Sequence, residues 1–256
     1  MIREIQAKTL LSHSKVPDPW FGIKYTMNLY RGCQHQCIYC DSRSECYQIE
    51  NLADILVKVN AIELLDRELA SKRTVGTVGT GSMNDPYMPV EATIGLTRRA
   101  LQVLVKRMFP VHVITKSALV LRDADLLTEI SRVYAAVSFT ITTVDDELGM
   151  RLEPGASLVS ERLAAMAALS ARGILTGVTM MPILPYIEDT HANITAIIER
   201  ASACGARYLL PGLAVTLRDR QRAYYYAKLD ELFPGLRQTY ERAYGERYEA
   251  PSPRAQ

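Results

Sequence analysis

The stretch RGCQHQCIYCDSRSEC, residues 31–46, carries four of the chain's five cysteines. Cys33, Cys37 and Cys40 are spaced C-x3-C-x2-C, with Cys46 further on and Cys204 isolated. Three thiolates can bind three irons of a cubane iron–sulfur cluster and leave the fourth iron open to another ligand. A structural zinc ion would want four ligands, and His35 or Cys46 can supply the fourth. A zinc knuckle usually pairs two short ligand loops, and no second pair follows downstream, which favours the iron–sulfur reading. Gly32 gives the loop a tight path, and Tyr39 sets an aromatic ring beside Cys40. Cys204, at an expected helix end, reads as a small buried apolar residue. An odd cysteine count at this spacing offers no evident disulfide framework, so a reducing, cytoplasmic location is expected.

The cysteine loop leaves an apolar run, IKYTMNLY (23–30), that reads as a strand. Five further short apolar runs follow: VGTVGTG (75–81), VHVITK (111–116), YAAVSFT (134–140), LTGVTMMP (175–182) and ARYLLPGL (206–213). Helical patterns lie between them, over about 52–70, TIGLTRRALQVLVKR (93–107), RDADLLTEISR (122–132), SERLAAMAALSARG (160–173) and DTHANITAIIERASACG (189–205). Ser160 reads as an N-cap and Gly173 as a stop. Strands alternating with amphipathic helices define an α/β chain with a mostly parallel sheet and right-handed crossovers. Binding groups then collect at the strand C-terminal ends. The alternation by itself does not choose between an open sheet and a curled barrel. Residues 1–23 read as irregular, punctuated by Pro17, Pro19 and Gly22. The tail after about 235, ending EAPSPRAQ, reads as peripheral and partly disordered.

A chain of 256 residues can bury one sizeable core, and an α/β barrel of this length is a single domain. Hydrophobic residues make up 48% and charged residues 23%, which suits a globular protein. A formal net charge of +2 neither demands nor excludes a nucleic-acid partner, because a local patch matters more than the total. No apolar run reaches the roughly 18 residues of a membrane span. The opening MIREIQAKTLLSHSK lacks the apolar block of a secretory signal.

GCQHQCIYC (32–40) resembles the signature of radical S-adenosylmethionine enzymes, and the βα pattern over roughly 24–215 is similar to that superfamily's core. The resemblance implies a partial (βα)6 TIM-like barrel over 24–215. It leaves 1–23 outside the core and 216–256 as a peripheral helical extension. It implies a 4Fe-4S cluster on Cys33, Cys37 and Cys40, whose open iron chelates S-adenosylmethionine. Reduction by a donor such as flavodoxin or ferredoxin then yields methionine and a 5′-deoxyadenosyl radical that abstracts hydrogen from substrate. More narrowly, LYRGCQHQCIYCDSR, NDPYMPVE, VHVITKS, VSFTITT, LEPGA and MMPILPYIEDT are similar to the spore photoproduct lyase-like branch, often labelled the "DNA repair photolyase" family. Its characterised lyase repairs a thymine dimer by radical chemistry without light. That likeness implies a nucleic-acid lesion as substrate.

The resemblance also assigns side chains. Tyr39 packs near the cofactor's adenine. Gly81 and Ser82 face its methionyl end, and Asp85 binds the cofactor or orders the loop. Lys116, at a strand end, pairs with the cofactor carboxylate, and Ser138 hydrogen-bonds the cofactor. Glu153 supports the pocket and Arg162 pairs with it, a surface salt bridge being the plain alternative. Met180 and Met181 read as wall or core, and Pro182 and Pro185 as shaping the strand exit. The lyase's hydrogen-donating cysteine at the end of its second strand has no counterpart in VGTVGTGSMNDP. Cys46 and Tyr87 are the substitutes this chain offers. In LRDRQRAYYYAKLDELF (217–233), Arg218, Arg220 and Arg222 can grip phosphates and Tyr224, Tyr225 and Tyr226 can stack on bases. Asp219, Asp230 and Glu231 interrupt that charge, and some of the tyrosines can simply close the barrel's end. Two other readings stand beside repair: radical modification of a small molecule, peptide or tRNA, and a non-enzymatic zinc or iron–sulfur binding module. With no further cysteine cluster, one iron–sulfur cluster is expected.

Overall fold

The computed structural model describes residues 1–17 and 19–255. The described strands are β1 (Ile2–Ile5), β2 (Leu11–His13), β3 (Ile23–Met27), β4 (Tyr30–Arg31), β5 (Ile55–Lys58), β6 (Thr77–Gly79), β7 (Val111–Thr115), β8 (Ala135–Thr140), β9 (Leu175–Met180), β10 (Leu209–Pro211), β11 (Ala214–Thr216) and β12 (Glu249–Pro251). The helices are α1 (Ala61–Ala70), α2 (Glu91–Ile94), α3 (Leu96–Arg107), α4 (Ala124–Ile130), α5 (Asp146–Leu152), α6 (Val159–Ala171), α7 (His191–Ala203), α8 (Asp219–Leu232) and α9 (Leu236–Tyr244). The main sheet runs β10-β9-β8-β7-β6-β3-β2. All neighbours in it are parallel except β2, which is antiparallel to β3. Together with its flanking helices it forms a partial (βα)6 barrel. Among the described residues, no helix is long and apolar enough to cross a membrane.

The central strands read as they fold. In β8, AAVSFT, every residue is buried, as expected of a parallel strand covered on both faces. α3 buries Leu96, Ala100, Leu101 and Leu104, a helical stripe, while Arg107 and Lys106 on its outer side pair with Asp66 at 2.6 and 3.1 Å.

Four local expectations are corrected. Residues 52–70 are not one helix: ILVK alternates buried and half-buried, a strand period, and β5 pairs with β1 and β4 before α1 begins. The segment 1–23 is not irregular throughout, since it supplies β1 and β2. Ser160 is not an N-cap. Leu158 takes that position, and Ser160 binds Asp146 through its amide at 2.9 Å and its hydroxyl at 2.6 Å. The tail after 235 forms α9 and β12, and Ser252 Oγ donates to Asp189 Oδ2 at 2.6 Å.

The C-terminal helices lie beyond the barrel, but they are more than an appendage. Leu217, Tyr225, Tyr240 and Tyr244 form one apolar cluster with Cys37, Ile38 and Tyr39 of the cysteine loop. Tyr225 donates to the Tyr240 hydroxyl at 3.0 Å, and Tyr240 donates to Pro185 O at 2.7 Å. The extension therefore seals the outer side of the loop.

Leu104 in α3 is fully buried, whereas Met108 just beyond it is 70% exposed. Leu104→Ala should cost about 2–5 kcal/mol of unfolding free energy, and Met108→Ala should lie within about 0.5 kcal/mol of wild type, both read by chemical denaturation.

Candidate active site

The cysteine loop has no helix or strand between Gly32 and Cys40, so its backbone groups need partners from elsewhere. Cys33 N donates to Leu52 O at 2.8 Å, and Ile38 N to Leu152 O at 2.9 Å. Gly155 N donates to His35 O at 3.0 Å. Gly32 turns with φ +83°, and a Cβ there would sit 2.2 Å from Asp54 O. Only glycine fits such a turn. From the C-terminal extension, Arg220 donates to Arg43 O and Ile49 O, each at 2.7 Å, and Gln221 Nε2 to Tyr39 O at 3.2 Å.

The folded loop brings Cys33, Cys37 and Cys40 onto one cleft of about 470 Å³, within the range of small-molecule sites. Tyr39, Gly81, Ser82, Asp85 and Lys116 line it too. Lys116 directly follows β7 and Thr140 ends β8, so the cleft lies at the C-terminal ends of the strands.

Cys33 and Cys37 are buried. Burial, with Asp85 adding to it, pushes the Cys33 thiol up to about 12. Burial also raises Cys37, although Lys116 pulls it back. In the protein without a cation these thiols keep their protons and surrender them when metal binds. Among the described residues, no three His, Cys, Asp or Glu side chains gather as they would around a single metal ion. A cubane cluster makes a different demand, because each thiolate takes its own iron. Three thiols facing one cleft with a lysine beside them fit that group.

Asp85 orders the loops. Its carboxylate accepts from Tyr87 N at 2.8 Å, Thr115 Oγ1 at 2.7 Å and Lys116 N at 2.6 Å. It also faces His35 Nδ1 at 3.4 Å. Burial lowers His35, more than Asp85 raises it. One carboxylate thus joins the cysteine loop, the 81–90 loop and the end of β7. Gly81, at φ +89°, approaches the Ile114 carbonyl so closely that a Cβ would lie 2.2 Å from it.

Glu153 and Arg162 form a buried pair, 2% and 1% exposed, at 2.5 Å. They are not a surface salt bridge, and they stand behind the cleft rather than lining it. The Tyr39 hydroxyl donates to Glu153. Arg162 also donates to Ser157 O at 2.9 Å and Thr140 O at 3.0 Å. Burial would raise the Glu153 carboxyl, but Arg162 and Lys116 outweigh it and hold it below the usual range. Burial, then Glu153, pushes the Tyr39 phenol well up, so it stays a neutral donor. Lys116 lies 5.7 Å from the Tyr39 ring centroid. Burial would lower its ammonium, but Cys37 when it is a thiolate, then Glu153 and Asp85, raise it overall. Among the described residues, no carboxylate lies within salt-bridge distance of Lys116 Nζ.

Besides Glu153 and Arg162, three further expected site residues are not in the cleft. Cys46 sits exposed in the 3-10 turn Glu45–Tyr47. Tyr87 is fully buried in the core, with the Arg122 guanidinium 5.9 Å from its ring centroid. Ser138 is fully buried inside the barrel, 2.7 Å from both His112 Nε2 and the Tyr208 hydroxyl. The basic and aromatic stretch is also committed internally. Arg220 binds loop carbonyls, Arg222 binds Leu217 O at 3.0 Å and Arg247 O at 2.7 Å, and Tyr225 and Tyr226 are buried. Arg218 lies 3.5 Å from Asp41. The sequence reading did not assign Trp20 or Val215 to the cleft, yet both line it.

A partial barrel with a three-thiol loop over its strand C-termini is the layout of an iron–sulfur enzyme. The family model described as the Radical SAM superfamily matches residues 27–196, and the chain belongs to that superfamily. Its cofactors are accordingly a 4Fe-4S cluster and S-adenosylmethionine. An uncharacterised protein of Methanocaldococcus jannaschii is 33% identical over 191 residues, covering 73% of this chain and 70% of its own. An uncharacterised protein of Mycobacterium tuberculosis is 29% identical over 250 residues, covering 94% of this chain and 73% of its own. Among solved structures, spore photoproduct lyase with bound AdoMet and dinucleoside spore photoproduct superposes with a TM-score of 0.68 at 15% identity. That match covers 91% of this chain and 66% of the lyase, and at this identity the likeness is one of fold.

Replacing Glu153 with Gln should destabilise the protein by about 3 kcal/mol at neutral pH, because Arg162 would be left buried without its anion. The carboxyl is depressed by folding, so its contribution is full above the unfolded value of about 4.3 and is lost as pH falls through the folded value. The stability gap between wild type and E153Q should therefore narrow as pH drops from about 5 towards 3, read by urea denaturation across that range.

Proposed function

We propose that this protein is a radical S-adenosylmethionine enzyme in which Cys33, Cys37 and Cys40 hold the 4Fe-4S cluster and the substrate is a modified or damaged nucleotide in nucleic acid. The observation that carries the reading is the convergence of these three thiols and Lys116 on one cleft at the strand C-termini. When bound, the reduced cluster supplies the electron that splits S-adenosylmethionine into methionine and a 5′-deoxyadenosyl radical. The chain's own residues bind and orient. Lys116 offers an ammonium without a carboxylate partner to the cofactor carboxylate, a charge-assisted contact. Gly81, lacking a side chain, allows backbone close to the methionyl end, with Ser82 beside it. Tyr39, locked by Glu153 and Arg162, forms a fixed wall for the adenine. The apolar cleft and the C-terminal cap keep water from the radical. Glu153, Arg162 and Asp85 act through other residues, as positioning groups.

The nucleic-acid substrate is supported by the superposed lyase, whose solved structure holds a dinucleoside lesion, and by the edge that a partial barrel leaves open to a bulky substrate. The arginines of α8 are committed internally, so a polymer would have to meet the cleft mouth. An electron donor such as flavodoxin or ferredoxin and a cytoplasmic setting complete the proposal. None of the five cysteines is paired in a disulfide, which suits a reducing compartment.

After anaerobic reconstitution and dithionite reduction, wild-type protein with S-adenosylmethionine should form 5′-deoxyadenosine, counted by mass spectrometry. Replacing Cys33, Cys37 and Cys40 by Ala should abolish product and iron together, whereas Cys46→Ala should match wild type. Product from the triple variant, or none from a fully loaded and reduced wild type given single-stranded DNA, would sink the reading.

Lys116→Met should weaken S-adenosylmethionine binding to the cluster-loaded protein by about 2 kcal/mol, roughly thirty-fold, in a calorimetric titration. Iron content should stay unchanged.

A further inference from the structure

During the reaction the cleft holds cofactor and substrate, so an electron has to reach the three-thiol loop from another side. The C-terminal helices close one side, where Tyr225, Tyr240 and Tyr244 pack with Cys37 and Tyr39. Beside Cys33 the wall is thinner. Ile49 and Leu52 pack against Cys33 and Cys40, and the same two residues line a second cavity of about 130 Å³. That cavity shares no lining residue with the cleft, and its rim carries the exposed Glu50. One layer of apolar side chains therefore separates a surface hollow from two of the thiols.

Hydrogen bonds also tie the hollow to the loop. Arg43 stands in its lining, with the guanidinium 3.6 Å over the Tyr224 ring. Arg43 Nη2 donates to Gln36 Oε1 at 2.9 Å, and Gln36 Nε2 donates to the carbonyl of Cys33. Arg220 is held by the carbonyls of Arg43 and Ile49, so it shapes this wall rather than reaching outward. A guanidinium bound to neutral groups keeps its charge. Among the described residues, neither arginine has a carboxylate within salt-bridge distance. Lys228, close to Arg43, is paired with Glu231 at 2.6 Å. Within the lining, two guanidiniums thus stand against one carboxylate, Glu50. Uncompensated positive charge where the wall over Cys33 is thin steers an acidic protein to that point.

We propose that this arginine-lined hollow is the docking point of an acidic one-electron carrier protein, a flavodoxin, and that the electron enters across Ile49 and Leu52 on the Cys33 side. The proposal rests on the radical-enzyme reading above. In the step, the reduced flavin is oxidised by one electron and the cluster is reduced by that same electron. Docking is read by the anisotropy of a dye-labelled flavodoxin, and electron entry by the bleaching of cluster absorbance in stopped flow. Binding should weaken as salt rises. Arg43→Glu should weaken it by about ten-fold and slow flavodoxin-driven bleaching to match, while Arg43→Lys keeps most of both. Glu50→Lys, at an exposed position, should tighten binding and speed bleaching. With dithionite, a small reductant that needs no docking, all three variants should bleach and form 5′-deoxyadenosine as wild type does. Equal slowing of both reductants by R43E would make the arginine a loop brace only and overturn the proposal. Should R43E lose iron, E50K carries the test alone, and binding no tighter than wild type overturns the proposal. Unchanged flavodoxin binding by both variants would overturn it outright. Weaker binding of single-stranded oligothymidylate to R43E, with flavodoxin binding unchanged, would give this face to nucleic acid and overturn it too. Dithionite-driven 5′-deoxyadenosine formation by the wild type is independent of all these results, so the two readings fail separately.

Discussion

A buried loop without regular structure has to borrow its shape. The three-cysteine loop is in this position, and the rest of the structure is arranged around satisfying it. Its amides and carbonyls are met by Leu52, Leu152 and Gly155 from the chain around the barrel. Asp85 ties it to the end of β7. Arg220 and Gln221 hold it from the opposite side. Each unmet buried polar group would cost about 1–3 kcal/mol, so these ties act together in fixing where the thiols lie. A cluster ligand set needs that fixity, because metal binding then meets a loop already ordered.

The electrostatics follow the same plan. Glu153 and Arg162 cancel each other out of reach of water, and the remaining acceptor capacity of Glu153 holds Tyr39. A buried pair of this kind is weak support for stability by itself, but breaking it is costly. Asp85 is spent on backbone amides, a threonine hydroxyl and a histidine. Lys116 is thereby left as the cleft's cation without a carboxylate at hand, among the described residues. Lys116 thus faces the cleft while Asp85 and Glu153 are committed to other partners.

Much of the barrel was legible because its signals are local. β7, β8 and β9 fall within the apolar runs at 111–116, 134–140 and 175–182. The misreadings have local causes as well. Ile55–Lys58 lies within ADILVKVN, which runs directly into α1, and its strand character depends on β1 and β4, both distant in the chain. Ser160 carries the chemistry of an N-cap, yet the cap falls two residues earlier, where Glu161 reaches back to Leu158. The arginine- and tyrosine-rich stretch looked like a nucleic-acid surface by composition. In the fold, Arg220 and Arg222 satisfy carbonyls and Tyr225 lies in a core.

The sequence by itself determined the chemistry and the scaffold class. Cys33, Cys37 and Cys40 lie within one loop, so their spacing already carries the proposed ligand set, and strand periodicity is written residue by residue. Tertiary structure alone decided which other side chains share the cleft. Tyr39 meets Glu153 across 114 residues of chain, and Arg220 meets Arg43 across 177. The same long-range packing brings Trp20 to the cleft and leaves Cys46, Tyr87 and Ser138 outside. Burial and ion pairing are properties of contacts between distant segments, set by the balance of the whole core against chain entropy. Local patterns record a residue's periodicity and chemistry, but not which distant partner that packing will bring to it.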